Sequence, residues 1–336
     1  MNEPGSHIIK DIFTTDNAAL ESTALKIFSF QYNHNIIYRQ FCDILKIKPA
    51  DVQRIENIPF LPIQFFKTHQ VITGQFAPQI VFESSGTTGS VNSRHFVKDT
   101  GLYEENFLHG FEKFYGNVAG YCIIGLLPSY LERGSSSLVY MVNHLIKRSG
   151  HPLSGFYLYE HEKLQQTLFQ NEANGQPAIL IGVTYALLDF AEKFPMQLKH
   201  TMVMETGGMK GRREELMREE VHQLLQKQLG IKEVHSEYGM TELLSQAYSL
   251  GGGIFKPGNS IKILLRTEDD PFDVNASVPA DKKFITGAIN IIDLANIYSC
   301  SFIATDDMGK LYADGSFEVL GRLDNSDIRG CGLMIL

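Results

Sequence analysis

The run Ser84-Ser-Gly-Thr-Thr-Gly-Ser90 carries the residue types that hold a phosphate. Gly86 and Gly89 let the backbone turn and come close to a ligand, and successive N–H groups in such a loop form an anion nest. The hydroxyls of Ser85, Thr87 and Thr88 add donors for phosphate oxygens. No Gly-Lys-[Ser/Thr] follows, so this is not a Walker A loop, and a plain surface loop has the same composition. A second group, Glu237-Tyr-Gly-Met-Thr-Glu242, sets an aromatic, a glycine, a hydroxyl and a carboxylate side by side. Next to Gly239, Tyr238 could stack on a base, Thr241 could bond a phosphate and Glu242 could hold Mg2+. The alternative is that Thr241 and Glu242 only cap a helix. In Glu205-Thr-Gly-Gly-Met-Lys-Gly211, Gly207 and Gly208 could form a backbone wall beside a planar ligand, or simply a strand-to-helix turn. In Ala304-Thr-Asp-Asp-Met-Gly-Lys310, Asp306 or Asp307 could accept bonds from ribose hydroxyls, joined by Arg322. Ordinary turn chemistry would use the same residues.

The elements that must position these groups follow from hydrophobic spacing. Residues 17–30 place Ala18, Leu20, Ala24, Leu25, Ile27 and Phe28 at helical intervals, with Asp16 as a cap, and residues 36–45 read the same way. Residues 58–67 hold Pro59 and Pro62, which prevent a regular helix and predict an extended apolar strap packed on the body. From about residue 80 short apolar runs alternate with helical patterns. Strands are predicted at 80–82, 121–127, 156–159, 178–183, 201–205 and 234–236. Helices are predicted at 102–115, 136–148, 162–171, 186–194, 212–229 and 240–248. Such alternation implies βαβ units and a mostly parallel sheet, so the fold class is α/β. After residue 250, strands at 261–265, 288–293, 301–304, 310–312 and 316–320 have no helices between them. With a tight-turn signal at Ala313-Asp-Gly315, they predict an antiparallel β section. The division expected is 1–80 as a helical lead-in with the strap, 81–250 as the α/β portion, 251–324 as the antiparallel portion and 325–336 as a tail.

Composition narrows the function classes. The chain has 336 residues, of which 43% are hydrophobic, enough for one large core or two modest ones. Its formal net charge of −8 argues against nucleic acid or anionic lipid as a general partner, since both need clustered positive charge. Cys42, Cys122, Cys300 and Cys331 form no C-x-x-C pair, which disfavours a structural zinc site and a disulfide framework. Residues 1–11 hold no apolar leader segment, and the longest apolar runs fall far short of the roughly 20 residues that span a bilayer. A cytoplasmic protein without a membrane span is expected. The 22 Phe and 14 Tyr are read as core rather than as an acyl tunnel. His95, His144 and His235 are read as packing or surface histidines.

Taken in order, these segments resemble the adenylate-forming superfamily of acyl- and aryl-CoA ligases, peptide-synthetase adenylation domains and firefly luciferase. That signature runs Ser-Gly-Thr-Thr-Gly, Gly-Gly, Tyr-Gly-x-Thr-Glu, Thr-Gly-Asp and Gly-Arg-x-Asp. Here the counterparts are Ser85 to Gly89, Gly207-Gly208, Tyr238 to Glu242, Thr305 to Asp307 and Gly321 to Asp324. The resemblance implies that Ser85, Gly86, Thr87, Thr88 and Gly89 hold the ATP β- and γ-phosphates. Gly207, Gly208 and Tyr238-Gly239 would flank the adenine. Thr241 would contact the α-phosphate, Glu242 would hold Mg2+, Asp307 with Arg322 would hold the ribose, and Asp324 would mark a hinge. The sequence departs from the pattern in two places. Ser90-Val-Asn-Ser-Arg94 stands where the family has Pro-Lys, making Arg94 or Ser93 the substitute, and Thr-Gly-Asp has become Thr305-Asp306-Asp307.

Twelve residues follow Asp324, so the family's mobile C-terminal domain is not expected in this chain. In this the sequence is similar to the short acyl-protein synthetase component of the bacterial-luminescence fatty-acid reductase. The strap, Pro128-Ser-Tyr-Leu-Glu-Arg133 and Arg329-Gly-Cys-Gly332 also look like members of that group. The resemblance implies ATP-dependent activation of a fatty or aryl carboxylic acid, followed by transfer to a protein thiol, with Cys331 as acceptor. An acyl-carrier or reductase protein would be the partner. Two other readings stand beside it: a CoA ligase of the phenylacetate type lacking its C-terminal domain, and a catalytically degenerate nucleotide- or acyl-binding subunit.

Overall fold

A computed structural model describes residues 5–14, 17–84, 91–128, 135–208 and 216–323. The chain forms two compact units. One combines the residues up to Gln75 with those from Ser260 onward, and the other is Phe76–Asn259.

The first unit opens with helices Ser6–Thr14, Asn17–His34 and Ile36–Ile44. Asn35 separates the last two. Its side chain accepts the Tyr38 N–H at 3.0 Å, capping the third helix, and its amide donates to the Ser299 carbonyl at 2.9 Å. The proline-bearing strap then runs extended through strand β1 (Leu61–Pro62) and closes with one helical turn, Phe65–Thr68, burying Phe60, Leu61 and Phe66. This agrees with the sequence expectation that the prolines forbid a regular helix.

The second unit starts with an antiparallel pair, β2 (Ile80–Glu83) and β3 (Arg94–Val97). Helix Thr100–Tyr115 follows, with Asp99 accepting from the Gly101 N–H at 2.9 Å. The βα alternation then runs from β4 (Cys122–Leu126) through helix Ser137–Ser149, β5 (Gly155–Phe156), helix His161–Ala173 and β6 (Ala178–Gly182). It continues through helix Thr184–Lys193, β7 (Thr201–Glu205), helix Arg218–Leu229 and β8 (His235–Tyr238). Strands β9 (Ala247–Ser249) and β10 (Phe255–Pro257) complete it. The order is β5-β4-β6-β7-β8 in parallel, then β9 and β10 antiparallel. Every residue of β4 and β6 is buried, which is why those strands read as unbroken apolar runs.

The chain returns to the first unit with β11 (Ile261–Arg266), β12 (Val274–Asn275), β13 (Phe284–Asp293), β14 (Phe302–Tyr312) and β15 (Phe317–Arg322). They form an antiparallel sheet in the order β12-β11-β13-β14-β15, and β1 pairs parallel with β14 through Leu61–Ile303 and Pro62–Ala304. The antiparallel section expected from the sequence is present. The two strands predicted at 301–304 and 310–312 are one strand, because Thr305-Asp306-Asp307 continues the ladder. The turn at Ala313-Asp-Gly315 is closed by Gly315 N–H to the Tyr312 carbonyl at 3.0 Å, with Gly315 at φ 81°.

The aromatic residues belong to the cores. Phe28, Tyr38, Phe60 and Phe302 meet in the first unit, and Phe82, Tyr103, Phe107 and Tyr140 in the second. One predicted element is absent. Residues 240–246 form a turn rather than the first part of a helix, and Ala247–Ser249 is strand β9, because those residues pair with β8.

Candidate functional site

In the 76–259 unit, β7 and β8 are adjacent parallel strands, and their carboxyl ends carry two of the segments singled out above. Such strand ends are where open α/β sheets bind ligands. Glu205 closes β7 and is buried. Its carboxylate accepts the Gly207 N–H at 2.9 Å, the Thr184 hydroxyl at 3.0 Å and the Ser236 hydroxyl of β8 at 3.0 Å. Arg218 Nε at 3.8 Å adds positive charge from the following helix, and His222 Nε2 lies 3.6 Å away. Burial pushes the Glu205 carboxyl up, but the contacts with His222, the Gly207 N–H and Arg218 outweigh it and hold it down at about 2. A single carboxylate thereby fixes the Gly207–Gly208 turn. Both glycines have positive φ, 72° and 93°, and a Cβ at Gly207 would meet nothing within 4 Å among the described residues, which leave that backbone face open to a planar ligand.

Tyr238 ends β8 and packs on Phe255 at 5.9 Å between ring centroids, with the Arg218 guanidinium 5.2 Å over the far ring. At the neighbouring Gly239 a Cβ would displace the Glu237 carboxylate. Glu237 is pushed up to about 8 by burial and by the negative charge of Glu205. Beside Gly239, the buried Gln246 Oε1 has no hydrogen-bond partner among the described residues, which leaves an acceptor for a bound group.

Thr241 and Glu242 lie in the turn that replaces the predicted helix. Thr241 is half-buried and Glu242 is buried. Without helical hydrogen bonds, this segment is held by side chains from elsewhere in the unit. His95 on β3 bonds the Thr241 carbonyl through Nδ1 at 2.8 Å. Asn106 on helix Thr100–Tyr115 donates to the Leu244 carbonyl at 2.6 Å and to Ser245 Oγ at 2.9 Å.

The hydroxyl-rich loop joins β2 to β3. Its residues Ser85, Gly86, Thr87, Thr88 and Gly89 lie outside the described residues, but both of its ends are placed. Ser84 N–H donates to the Ser93 carbonyl at 3.0 Å, and Ser93 N–H donates to Ser84 Oγ at 2.9 Å, which pinches the loop shut at its base. Of the two residues considered in place of the family lysine, Ser93 is buried in that closure and the Arg94 guanidinium sits 5.6 Å over the Phe96 ring.

In the other unit, Thr305, Asp306 and Asp307 alternate along β14. The Thr305 hydroxyl donates to the Ile289 carbonyl at 2.9 Å, and Arg266 holds the Thr305 carbonyl at 2.6 Å and Asn290 Oδ1 at 2.7 Å. Asp306 Oδ1 accepts from Gln64 of the strap at 2.6 Å. Asp307 is buried, and its Oδ1 lies 3.5 Å from Arg322 Nε on β15, directly across the ladder. The strap therefore engages Asp306, and Arg322 accompanies Asp307. Asp324 and Cys331 lie outside the described residues.

The residues present suit ATP with Mg2+. The open glycine turn, Tyr238 and the orphaned Gln246 acceptor fit a base. Among the described residues no group of three or more Asp, Glu, His or Cys could hold a metal ion. Glu242 is a carboxylate of the kind that suits Mg2+, an ion commonly held by one or two carboxylates together with phosphate and water.

Comparison with solved structures bears on the fold. ATP-bound MatB from Rhodopseudomonas palustris matches with a TM-score of 0.52 at 15% identity, over 74% of this chain and 49% of that one. 2-Hydroxyisobutyryl-CoA ligase in complex with an adenylate matches with a TM-score of 0.59 at 10% identity, over 94% of this chain and 70% of that one. The fold is that of the adenylate-forming enzymes. A long-chain-fatty-acid-CoA ligase from Archaeoglobus fulgidus matches with a TM-score of 0.50 at 15% identity, over 72% of this chain and 51% of that one. The chain thus spans about half the length of MatB and of the fatty-acid ligase. The family model for acyl-protein synthetase, LuxE, matches residues 14–99, which include the strap and the hydroxyl-rich loop. No curated protein matches the sequence. The superfamily resemblance drawn from the motifs, and its lean toward acyl-protein synthetases, are supported by these likenesses.

The sequence reading overlooked Glu205 as an anchor, together with Asn106, Gln64 and the polar contact of His95. Two had a visible signal. Glu205 is a lone charge ending the apolar run Thr201–Glu205. His95 occupies an inward position in the alternating Arg94–Val97 segment.

Proposed function

We propose that this protein activates a fatty or aryl carboxylic acid with ATP, forming an acyl-adenylate and pyrophosphate, and then passes the acyl group to a thiol. The observation that carries the reading is the convergence at β7 and β8. The Gly207 turn, Tyr238 and the Thr241-Glu242 turn leave adjacent strand ends, and the hairpin bearing the hydroxyl-rich loop is bonded to Thr241.

In the chemistry, a carboxylate oxygen of the acid attacks the α-phosphorus, and the bond to the bridging oxygen of pyrophosphate breaks. No proton moves, so no general base is required. Bound Mg2+ would neutralise phosphate charge. The chain's own contribution is positioning and electrostatics. The Gly207–Gly208 backbone and Tyr238 seat the base, the Thr241 hydroxyl donates to an α-phosphate oxygen, and Glu242 supplies the metal's carboxylate. The loop at Ser85 to Gly89 offers N–H and O–H donors to the outer phosphates. A thiolate then attacks the acyl carbon, and AMP leaves with the electron pair.

For the acceptor we assign Cys331. The other three cysteines are buried, and burial pushes Cys42 up to about 12 and raises Cys122 and Cys300 as well, which keeps them as inert thiols. The partner is an acyl-carrier or reductase protein that takes the acyl group onward, in the cytoplasm. No helix of the described residues is long and apolar enough to cross a membrane.

The test is ATP–pyrophosphate exchange with a panel of fatty and aryl acids, followed by intact-mass analysis after incubation with ATP and the active acid. Acid-dependent exchange is expected, with a single acyl adduct that Cys331→Ser abolishes. If ATP binds but no acid supports exchange, the protein is a binding subunit. Turnover only with added CoA would move the acceptor away from Cys331.

A further inference from the structure

We infer that His95 is a positioning residue, fixing the Thr241-Glu242 turn on strand β3 through the hydrogen bond from its Nδ1 to the Thr241 carbonyl. The inference rests on the adenylation reading above and adds to it a residue that the motifs do not contain.

Three observations carry it. His95 is almost wholly buried, at 1% exposure, although it lies only five residues beyond the loop's last residue, Ser90. Its Nδ1 is 2.8 Å from the Thr241 carbonyl oxygen. A carbonyl can only accept, so Nδ1 carries the proton, which fixes the ring's tautomer or makes it cationic. Finally, the turn at 240–246 lacks the repeating bonds of a helix. It has the backbone bond Leu243 N–H to the Met240 carbonyl at 3.1 Å, and its anchors include His95 at Thr241, Asn106 at Leu244 and Ser245, and the Gly258 N–H at the Gln246 carbonyl.

These anchors have different consequences. Asn106 holds the far end of the turn, near Leu244. His95 holds the peptide unit whose side chains are the proposed phosphate and metal contacts. Its strand is also continuous with Ser93, which closes the base of the loop. One imidazole therefore ties the Thr241 turn to β3, the strand that Ser93 precedes. A misplacement of about 1 Å in a catalytic group can cost roughly 100-fold in rate, so loss of this bond should appear in turnover more than in substrate affinity.

The decisive comparison is His95→Asn against His95→Gln in the full chain. Asn places an amide donor near the position of Nδ1, whereas Gln places it near that of Nε2. Both variants are polar and smaller than or close to His in size, so they share the cost of repacking. We expect His95→Asn to keep kcat for ATP–pyrophosphate exchange within about threefold of wild type, the scale of one altered hydrogen bond. His95→Gln should lower kcat about 100-fold with KM for the acid unchanged, at a melting temperature close to that of the Asn variant. Equal kcat for the two variants, whether high or low, would overturn the inference, since the donor position would then not matter. MgATP binding measured by calorimetry on wild type separates the two levels. A wild-type protein that neither binds MgATP nor exchanges pyrophosphate overturns the adenylation reading and takes this inference with it. Normal wild-type exchange with equivalent variants overturns His95 alone.

Discussion

At the residue scale the site unit is governed by two carboxylates on neighbouring strands, the buried Glu205 and the half-buried Glu237, driven in opposite directions. Glu205 is surrounded by donors and cations, and is held at about 2. Glu237, with burial and the charge of Glu205 against it, is raised to about 8. The linkage signs follow. Glu205 binds its proton less readily folded than unfolded, so it contributes stability above its unfolded value of about 4.3, and that contribution is lost as pH falls toward about 2. Glu205→Gln should therefore cost about 2–3 kcal/mol at pH 7, the scale for breaking a buried, hydrogen-bonded ionic group. The deficit should shrink steadily between pH 4 and 2 in denaturant titrations. Glu237 behaves oppositely. The folded state holds its proton where the unfolded state has released it, so wild-type stability is eroded as pH rises from about 4.3 to about 8. Glu237→Gln should gain on wild type across pH 5–8 and level off above that. A variant whose difference from wild type is flat over this range would show that Glu237 is ionised in the fold.

At the scale of elements, periodicity made the βα alternation and the antiparallel section readable, because each strand had one side or both in a core. It failed at 240–248. Leu243, Leu244 and Ala247 sit at helical spacing, but the segment's backbone is satisfied by His95, Asn106 and strand pairing, all remote in sequence. Local pattern carries no trace of such partners. The strap was read as extended from Pro59 and Pro62, yet nothing in it announced that Gln64 would engage Asp306. The same limit applies to Gly309. The fold shows why it is a glycine. Gly287 and Gly309 face each other across β13 and β14, and a Cβ on Gly309 would lie 2.7 Å from the Glu318 carbonyl oxygen. Backbone cannot swing aside as a side chain can. Gly309→Ala should lower stability by about 1–3 kcal/mol, the usual cost of overpacking, and lower the melting temperature accordingly. Gly207→Ala meets open space but holds a positive φ, so its cost should be conformational and similar to other left-handed sites, about 1–2 kcal/mol.

For the whole molecule, composition set the class and the motifs set the chemistry, but neither gave the way the chain is shared between two units. The formal charge of −8 remains a usable quantity at this scale. Retention on a heparin column at about 150 mM salt should be absent, since surface charge of this sign is repelled by a polyanion. Strong retention would expose a basic face that net charge conceals. Two of the motif segments, Gly207-Gly208 and Tyr238 to Glu242, sit at strand ends and turns, whereas Thr305 to Asp307 lie inside β14. Of the anchors behind them, Glu205 and His95 left a trace in the strand pattern, whereas Asn106 and Gln64 left none, because their partners are remote in sequence.

The shared arrangement has a consequence for biosynthesis. Gln31 of helix Asn17–His34 donates to the carbonyls of Asn296 and Ile297, partners 265 and 266 residues further along. At translation speeds of about 5–20 residues per second, that helix leaves the ribosome some tens of seconds before its partners exist. The 76–259 unit, by contrast, can complete its pairing as soon as its own last strand emerges. The nascent amino-terminal helices therefore spend that interval with an apolar face uncovered, and they are the part of this protein with most need of a chaperone.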